Sequence, residues 1–137
     1  MKRLILTVTA ITLVIIAISC EEEGEIAGGS HNTGKNCLGC HSDFKLAGSV
    51  YDKTLSSPLS GITIKVTSQA NGAGSVLATL TSDASGNFHT SNSISFGSGV
   101  YVSAQKGSGA VKYMGSAITT GGCNACHGSS TSKLWVE

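Results

Sequence analysis

The stretch GITIKVT, residues 61–67, decides the fold class. Apolar side chains at positions 62, 64 and 66 alternate with polar ones at 63, 65 and 67. Successive side chains of a β-strand point to opposite faces, so this alternation predicts a strand with one buried and one solvated face. The chain has 137 residues, 18 glycines, 5% aromatic and 12% charged residues, which favours one small all-β domain over a helical bundle.

Short β-branched runs on both sides of this stretch predict further strands. They cover residues 47–51, 76–81, 87–91, 100–105 and 110–118, with turns at 71–72, 83–86 and 106–109. We expect the successive strands to reverse direction and form a small antiparallel Greek-key sandwich. The start of the first strand and the end of the sixth then lie at one end of the sandwich. An extra strand at 93–96 would separate them.

Four segments of this region resemble the carboxypeptidase regulatory-like domain, a transthyretin-like β-sandwich. They are GSVYD at 48–52, PLSGITIKV at 58–66, TSDASGNF at 81–88 and GVYVSA at 99–104. The resemblance covers residues 46–118 and implies the sandwich fold. Members of that family use the domain as a structural or binding module rather than as a catalytic one, which implies a scaffold role for it here.

Two copies of a Cys-x-x-Cys-His motif flank the predicted sandwich, CLGCH at 37–41 (the first motif) and CNACH at 123–127 (the second motif). This pattern is the attachment signature of c-type haem. Two thiols separated by one helical turn can bind both vinyl groups of a haem, and the histidine that follows lies below the iron. We therefore predict two covalently bound haem c groups, one on residues 35–45 and one on residues 119–137.

The motifs assign roles to individual side chains. Two further histidines remain for the second axial positions of two irons, although a lone histidine is ordinarily a solvated surface residue. Met114 is a weaker alternative ligand, for which strand packing is the preferred interpretation. We expect Phe88 to face inward and His89 outward, toward the haem end of the sandwich. The predicted site residues are Cys37, Cys40, Cys123 and Cys126 for thioether attachment, His41 and His127 as proximal ligands, and His31 and His89 as candidate distal ligands.

Two other interpretations of the cysteines stay open. Four thiolates would suit a structural zinc ion, but the interval between the pairs is far longer than usual and zinc does not require the histidines. Two redox-active Cys-x-x-Cys disulfides are the other option, although neither pair lies between a strand and a helix in a βαβ pattern. Haem is favoured over both because the histidine is repeated.

The N-terminus predicts export. Lys2 and Arg3 precede an apolar run over residues 4–18, which is too short for a convincing membrane span. Residues 17–20, AISC, resemble the lipobox of bacterial lipoproteins, which implies a signal peptide over 1–19 and lipidation of Cys20. An ordinary secretory signal or an uncleaved anchor is the alternative. Residues 20–34 then form a flexible acidic stalk, and we expect anchoring to the outer membrane, facing the periplasm or the cell surface.

Taken together, the chain resembles a dihaem c-type cytochrome lipoprotein built around a β-sandwich. The expected function is electron transfer without substrate chemistry, to redox partner proteins or an extracellular acceptor, and surface haems would also allow copies to stack as a homo-oligomer or filament. Nucleic acid is excluded as a partner, because the formal net charge of +1 leaves no basic footprint. The alternatives are a haem enzyme or sensor with one open axial site, and a haem-free surface binding module.

Overall fold

The structure is a computed structural model that describes residues 35–137, so the predicted signal peptide, Cys20, the stalk and His31 lie outside the described residues. The described part contains short 3₁₀ turns at Cys37–Gly39, Ala70–Gly72 and Cys123–Ala125. Its strands are β1 (Leu46–Tyr51), β2 (Ile62–Thr67), β3 (Val76–Thr81), β4 (Asn87–Thr90), β5 (Tyr101–Lys106), β6 (Lys112–Tyr113) and β7 (Leu134–Trp135).

The strands form two sheets, which confirms the predicted all-β sandwich. One sheet has the order β3-β2-β5-β6 and is antiparallel throughout, and the other has the order β4-β1-β7. In the first sheet Ile64 of β2 lies opposite Leu80 on one side and Ala104 on the other. The alternating stretch that predicted the fold is therefore a central strand.

The core lies between the two sheets. Ile62, Ile64 and Val66 of β2 are 0% exposed, as the alternation predicts, and they form one cluster with Leu46 and Phe88 from the other sheet. Full burial of one such side chain contributes about 1.5–3 kcal/mol. The hydrophobic contact between the sheets is therefore the main source of stability in this chain.

The turn at residues 83–86 forms as predicted and begins β4. The amide of Gly86 donates to the carbonyl of Asp83 at 3.0 Å, and the Asp83 carboxylate accepts from the amides of Ser85 and Asn87 at 2.9 Å each. Gly86 has φ +74°, and a Cβ there would lie 2.6 Å from the carbonyl oxygen of Val50. Only glycine fits this position without strain.

The strand predicted over 110–118 is wrong in its extent. β6 covers only Lys112–Tyr113, and Val100 and Ile118 form an isolated bridge further along. Ser103 lies opposite Tyr113, and Val100 lies opposite Ile118. The chain therefore advances by three residues from Val100 to Ser103 but by five residues from Tyr113 to Ile118. Two extra residues therefore bulge out and interrupt the ladder.

β7 was not predicted. Leu134 and Trp135 pair in parallel with Val50 and Tyr51 of β1, and Val136 is 1% exposed within the core. Residues 93–96 form no strand, so the extra strand that would have moved the motifs apart is not present. The segment after the second motif consequently returns to the sandwich and completes its three-stranded sheet.

Candidate haem-binding site

The two Cys-x-x-Cys-His motifs have the same backbone conformation. In the first motif the carbonyl of Cys37 accepts from the amides of Cys40 at 3.3 Å and His41 at 2.9 Å. In the second, the carbonyl of Cys123 accepts from Cys126 at 3.2 Å and His127 at 2.9 Å. Residues three and four apart in a helical turn lie on one face, so the spacing allows the two cysteines and the histidine of each motif to face one attached group.

Both turns lie at the end of the sandwich where β1 begins. Ala47 pairs with His89 of β4 on one side and bridges Gly122 on the other, and its amide donates to the carbonyl of Gly121 at 2.9 Å. Asn36, which begins the first turn, lies so close to Gly122 that a Cβ there would collide with its amide oxygen. The two motifs are therefore neighbours, as the predicted strand order requires.

The first turn is capped by a side chain. The Asn36 amide oxygen accepts from the amide of Leu38 at 3.2 Å, and its carbonyl accepts from Gly39 at 2.9 Å. This is an N-cap, which satisfies amide groups that have no partner within the turn. The cap residue lies directly before the motif, so part of the support of this turn is local in the sequence.

The second turn is fixed to the sandwich by Asn124, which is 1% exposed. Its amide oxygen accepts from the amide of Ser49 at 3.1 Å, and its amide nitrogen donates to the Ser49 hydroxyl at 3.2 Å. The same hydroxyl donates to the side chain of Asn87 at 2.8 Å. Asn124 occupies a variable position within the motif, so the motif itself gave no signal that this residue is structural.

Small residues allow the second turn to approach β1. A Cβ at Gly121 would collide with the carbonyl oxygen of Lys45 and with the backbone of Leu46. A Cβ at Gly48 would lie 2.7 Å from Cβ of Cys123. Any larger side chain at these two glycines would push the motif away from the sheet.

The imidazole of His127 is oriented by a backbone carbonyl. Its Nδ1 lies 3.1 Å from the carbonyl oxygen of Ser132. The loop is held in place because the amide of Thr131 donates to the carbonyl of Cys126 at 2.9 Å. A proton on Nδ1 that is donated to Ser132 leaves the lone pair on Nε2 free to bind a metal, which is the usual arrangement around histidine ligands.

A cavity of about 430 Å³ lies beside the second motif. Cys123, Cys126 and His127 line it together with Met114 and Trp135, and its walls are mostly apolar. This volume is within the range of about 300–1,000 Å³ that small-molecule and cofactor sites occupy. The thiols and the imidazole of one motif thus lie at a single concave surface that can accept an apolar macrocycle.

The cysteines differ in their surroundings. Cys37, Cys123 and Cys126 carry free thiols, so the second motif contains no disulfide of its own. Cys40 is disulfide-bonded. Burial, followed by the neighbouring Cys37, raises the pKa of Cys123 to about 12. Burial also raises the pKa of Cys37, whereas Cys126 is exposed.

His89 lies beside the first motif. The ring of Phe44 stacks on His41 at a centroid distance of 4.7 Å and on His89 at 4.2 Å. Phe88 is buried and His89 is exposed, as the sequence predicts. Phe44 was not predicted as a site residue, and its ring separates the two imidazoles.

Within residues 35–137, no three His, Cys, Asp or Glu side chains are grouped so that they could hold a metal ion. Across the same residues, no helix combines the length and the apolar character needed to cross a membrane. Comparisons of the chain with protein family models, with curated proteins and with solved structures found no match.

Proposed function

We propose that this protein is a dihaem c-type cytochrome that transfers electrons and has no substrate chemistry of its own. The observation that carries the proposal is the duplicated turn of residues 37–41 and 123–127, whose second copy faces an apolar cavity. A haem bound there supplies reversible one-electron chemistry at its iron. The sandwich then acts as a scaffold, which agrees with its resemblance to the carboxypeptidase regulatory-like domain.

The residues of the second motif fit such a group. The free thiols of Cys123 and Cys126 can each add across a vinyl group, forming one carbon–sulfur bond while the thiol hydrogen passes to the neighbouring carbon. His127 offers Nε2 to the iron, because its Nδ1 is held by the Ser132 carbonyl. In the first motif Cys37 and Cys40 take the same roles with His41, and Cys40 must first be reduced by a thiol reductant.

Two lysines at the cavity suit the carboxylates of a haem. The ammonium group of Lys112 lies over the ring of Trp135, and that of Lys133 lies 4.2 Å from the ring centroid of Tyr51. Both lysines line the cavity, and its lining contains no carboxylate side chain. Their charge favours the binding of an anionic group in this cavity.

The positions of the two motifs support transfer of an electron from one haem to the other. Both turns lie against the start of β1, so the two attachment points are adjacent. We propose that the exported, lipid-anchored chain passes electrons between a membrane donor and a redox protein or extracellular acceptor. Stacking of neighbouring copies into a homo-oligomer or filament would extend the same route.

The proposal is tested by counting electrons. Protein produced with a c-type haem maturation system is titrated with a chemical reductant under anaerobic conditions, while the haem absorption is followed. We expect two electrons per chain, full reversal on reoxidation, and no binding of carbon monoxide. Binding of carbon monoxide together with turnover of peroxide or nitrite would instead identify a haem enzyme, and a chain without a redox-active chromophore would reject electron transfer.

A matched control separates the haems from the membrane anchor. Replacement of Cys20 by Ala removes the proposed lipidation site and leaves both motifs intact. This variant should lack the lipid and should still accept two electrons per chain. A loss of both electrons in the Cys20 variant would contradict the assignment of the five cysteines to one lipid site and two haem sites.

A further inference from the structure

Met114, the weaker alternative ligand in the sequence analysis, lines the cavity of the second motif. It follows β6, and its amide donates to the carbonyl of Val102 on β5 at 2.9 Å. Its half-buried side chain packs against the core and lines the same cavity as Cys126 and His127. A thioether sulfur is therefore held at the wall of the cavity into which the second motif faces.

The other candidate ligands of this cavity already make contacts with other groups. Lys112 lies over the ring of Trp135, and Lys133 donates to the carbonyl of Leu55 at 3.2 Å. Tyr113 is 47% exposed and its ring approaches Gly72, on the outer side of the sheet. These contacts leave Met114 as the side chain best suited to a soft iron site.

His89 does not compete for this position. It is an exposed residue of β4, and its ring stacks on Phe44, which stacks in turn on His41 of the first motif. His89 does not line the cavity of the second motif. The candidate ligands are thus divided, with an imidazole near the first motif and a thioether near the second.

We propose that Met114 is the second axial ligand of the haem attached to Cys123 and Cys126, so that the two haems are ligated differently. This inference rests on the proposed haem-binding function. Methionine in place of a second histidine raises the reduction potential of a c-type haem, and burial of the group is a further influence on it. With Met114 as its ligand, a haem at the second motif would have the higher potential and would accept electrons from one at the first motif.

Methyl labelling tests the ligand directly. The chain has two methionines, Met1 and Met114, and removal of the signal peptide leaves only Met114. In reduced, haem-loaded protein labelled with ¹³C at the methionine methyl, we expect one resonance strongly shifted upfield by the haem ring current. A methyl resonance in the ordinary methionine region would overturn the inference.

Two substitutions give an independent test. Met114→Leu keeps the apolar volume and removes the sulfur, so carbon monoxide should bind to one of the two haems, where wild type binds none. Met114→His restores a ligand, but as an imidazole. The reduction potentials of the two haems should then become similar, so that their reduction no longer separates into two steps. If Met114→Leu leaves the carbon monoxide binding and both potentials unchanged, Met114 is not a ligand. Failure of the proposed function itself gives a different result, because the haem content of wild type would then be zero.

Discussion

The two Cys-x-x-Cys-His motifs share one backbone turn but differ in what surrounds them. The first is capped by the neighbouring Asn36, and Cys40 and the glycine of the turn are exposed. The second is held by a buried asparagine, by a backbone bond to β1 and by the walls of a cavity. The motif thus determines the turn, whereas the sandwich determines the environment that an attached group would experience.

This difference indicates a division of roles. The second motif is part of the domain, since Asn124 is buried and the chain after the motif continues into β7. The first motif precedes β1 and lies at the surface beside the exposed His89. We expect a group at the second motif to be shielded and one at the first to be accessible to a redox partner.

The largest expected effect comes from removing one motif at a time. Cys123→Ala combined with Cys126→Ala should eliminate one of the two haems, and Cys37→Ala with Cys40→Ala should eliminate the other. Because thioether attachment requires the thiols, the covalently bound haem should fall by half in each case. Intact mass spectrometry measures this loss. Retention of two covalent haems in either double variant would break the assignment of one haem to each motif.

Removal of the Asn124 side chain should destabilise the domain more than the matched change at the first motif. Asn124→Ala leaves the buried amide of Ser49 without its acceptor and removes one of the two partners of the Ser49 hydroxyl, and should lower the free energy of unfolding by about 2–4 kcal/mol. The matched change at the first motif, Asn36→Ala, removes an exposed cap and should cost about 1 kcal/mol. Urea unfolding of both variants measures the difference. Equal losses would mean that the two motifs are anchored with equal strength.

The thiols of the haem-free chain should differ in reactivity. The thiolate is the reactive form, and burial raises the pKa of Cys123 to about 12. At pH 8 we expect iodoacetamide to modify the exposed Cys126 at least about tenfold faster than Cys123. Timed alkylation followed by peptide mass spectrometry measures both rates. Modification of Cys123 at the rate of Cys126 would show that the second turn is not buried against β1.

The same pKa predicts a pH dependence of stability. A Cys123 thiol in the unfolded chain loses its proton near pH 9.0, whereas in the folded chain it keeps the proton until about pH 12. The unfolded state therefore binds fewer protons between these values, so the stability of the haem-free domain should fall as the pH rises through this window. Cys123→Ser, measured by urea unfolding at several pH values, should reduce the dependence.

The smallest effect is expected at the ring stack beside the first motif. Phe44→Leu removes the aromatic contacts with His41 and His89 but keeps an apolar side chain at this half-buried position. We expect a loss of about 0.5–1.5 kcal/mol in the free energy of unfolding. A much larger loss would show that the first motif is anchored through Phe44 and is less independent of the sandwich than its cap suggests.

Local sequence patterns predict most of the sandwich, but they do not predict strand pairings between residues that are far apart in the sequence. The alternation at residues 62–67 and the turn at 83–86 each predict the element that is observed, because both depend on side chains within a few positions. β7 consists of two residues whose pairing with Val50 and Tyr51 depends on the whole fold. The early end of β6 is likewise caused by a bulge against β5, for which the local sequence gives no signal.

In the candidate site, too, only the residues that a local motif specifies were predicted from the sequence. The motifs predict the cysteines and the proximal histidines, because attachment chemistry fixes their spacing. Asn124 and Phe44 were missed, since one occupies a variable position of its motif and the other lies just outside the first. Met114 lies near the second motif and His89 near the first because of the geometry of the sheets. The number of spare ligands in the sequence does not reveal these positions.

The central claim is that both turns bind haem covalently, and the number of haems per chain tests it most directly. A pyridine haemochrome assay on exported, matured protein, combined with quantitative amino-acid analysis, gives this number. We expect two haems per chain, neither of which is removed by acidified organic solvent. A colourless protein, or one whose haem is extracted by that solvent, would contradict it.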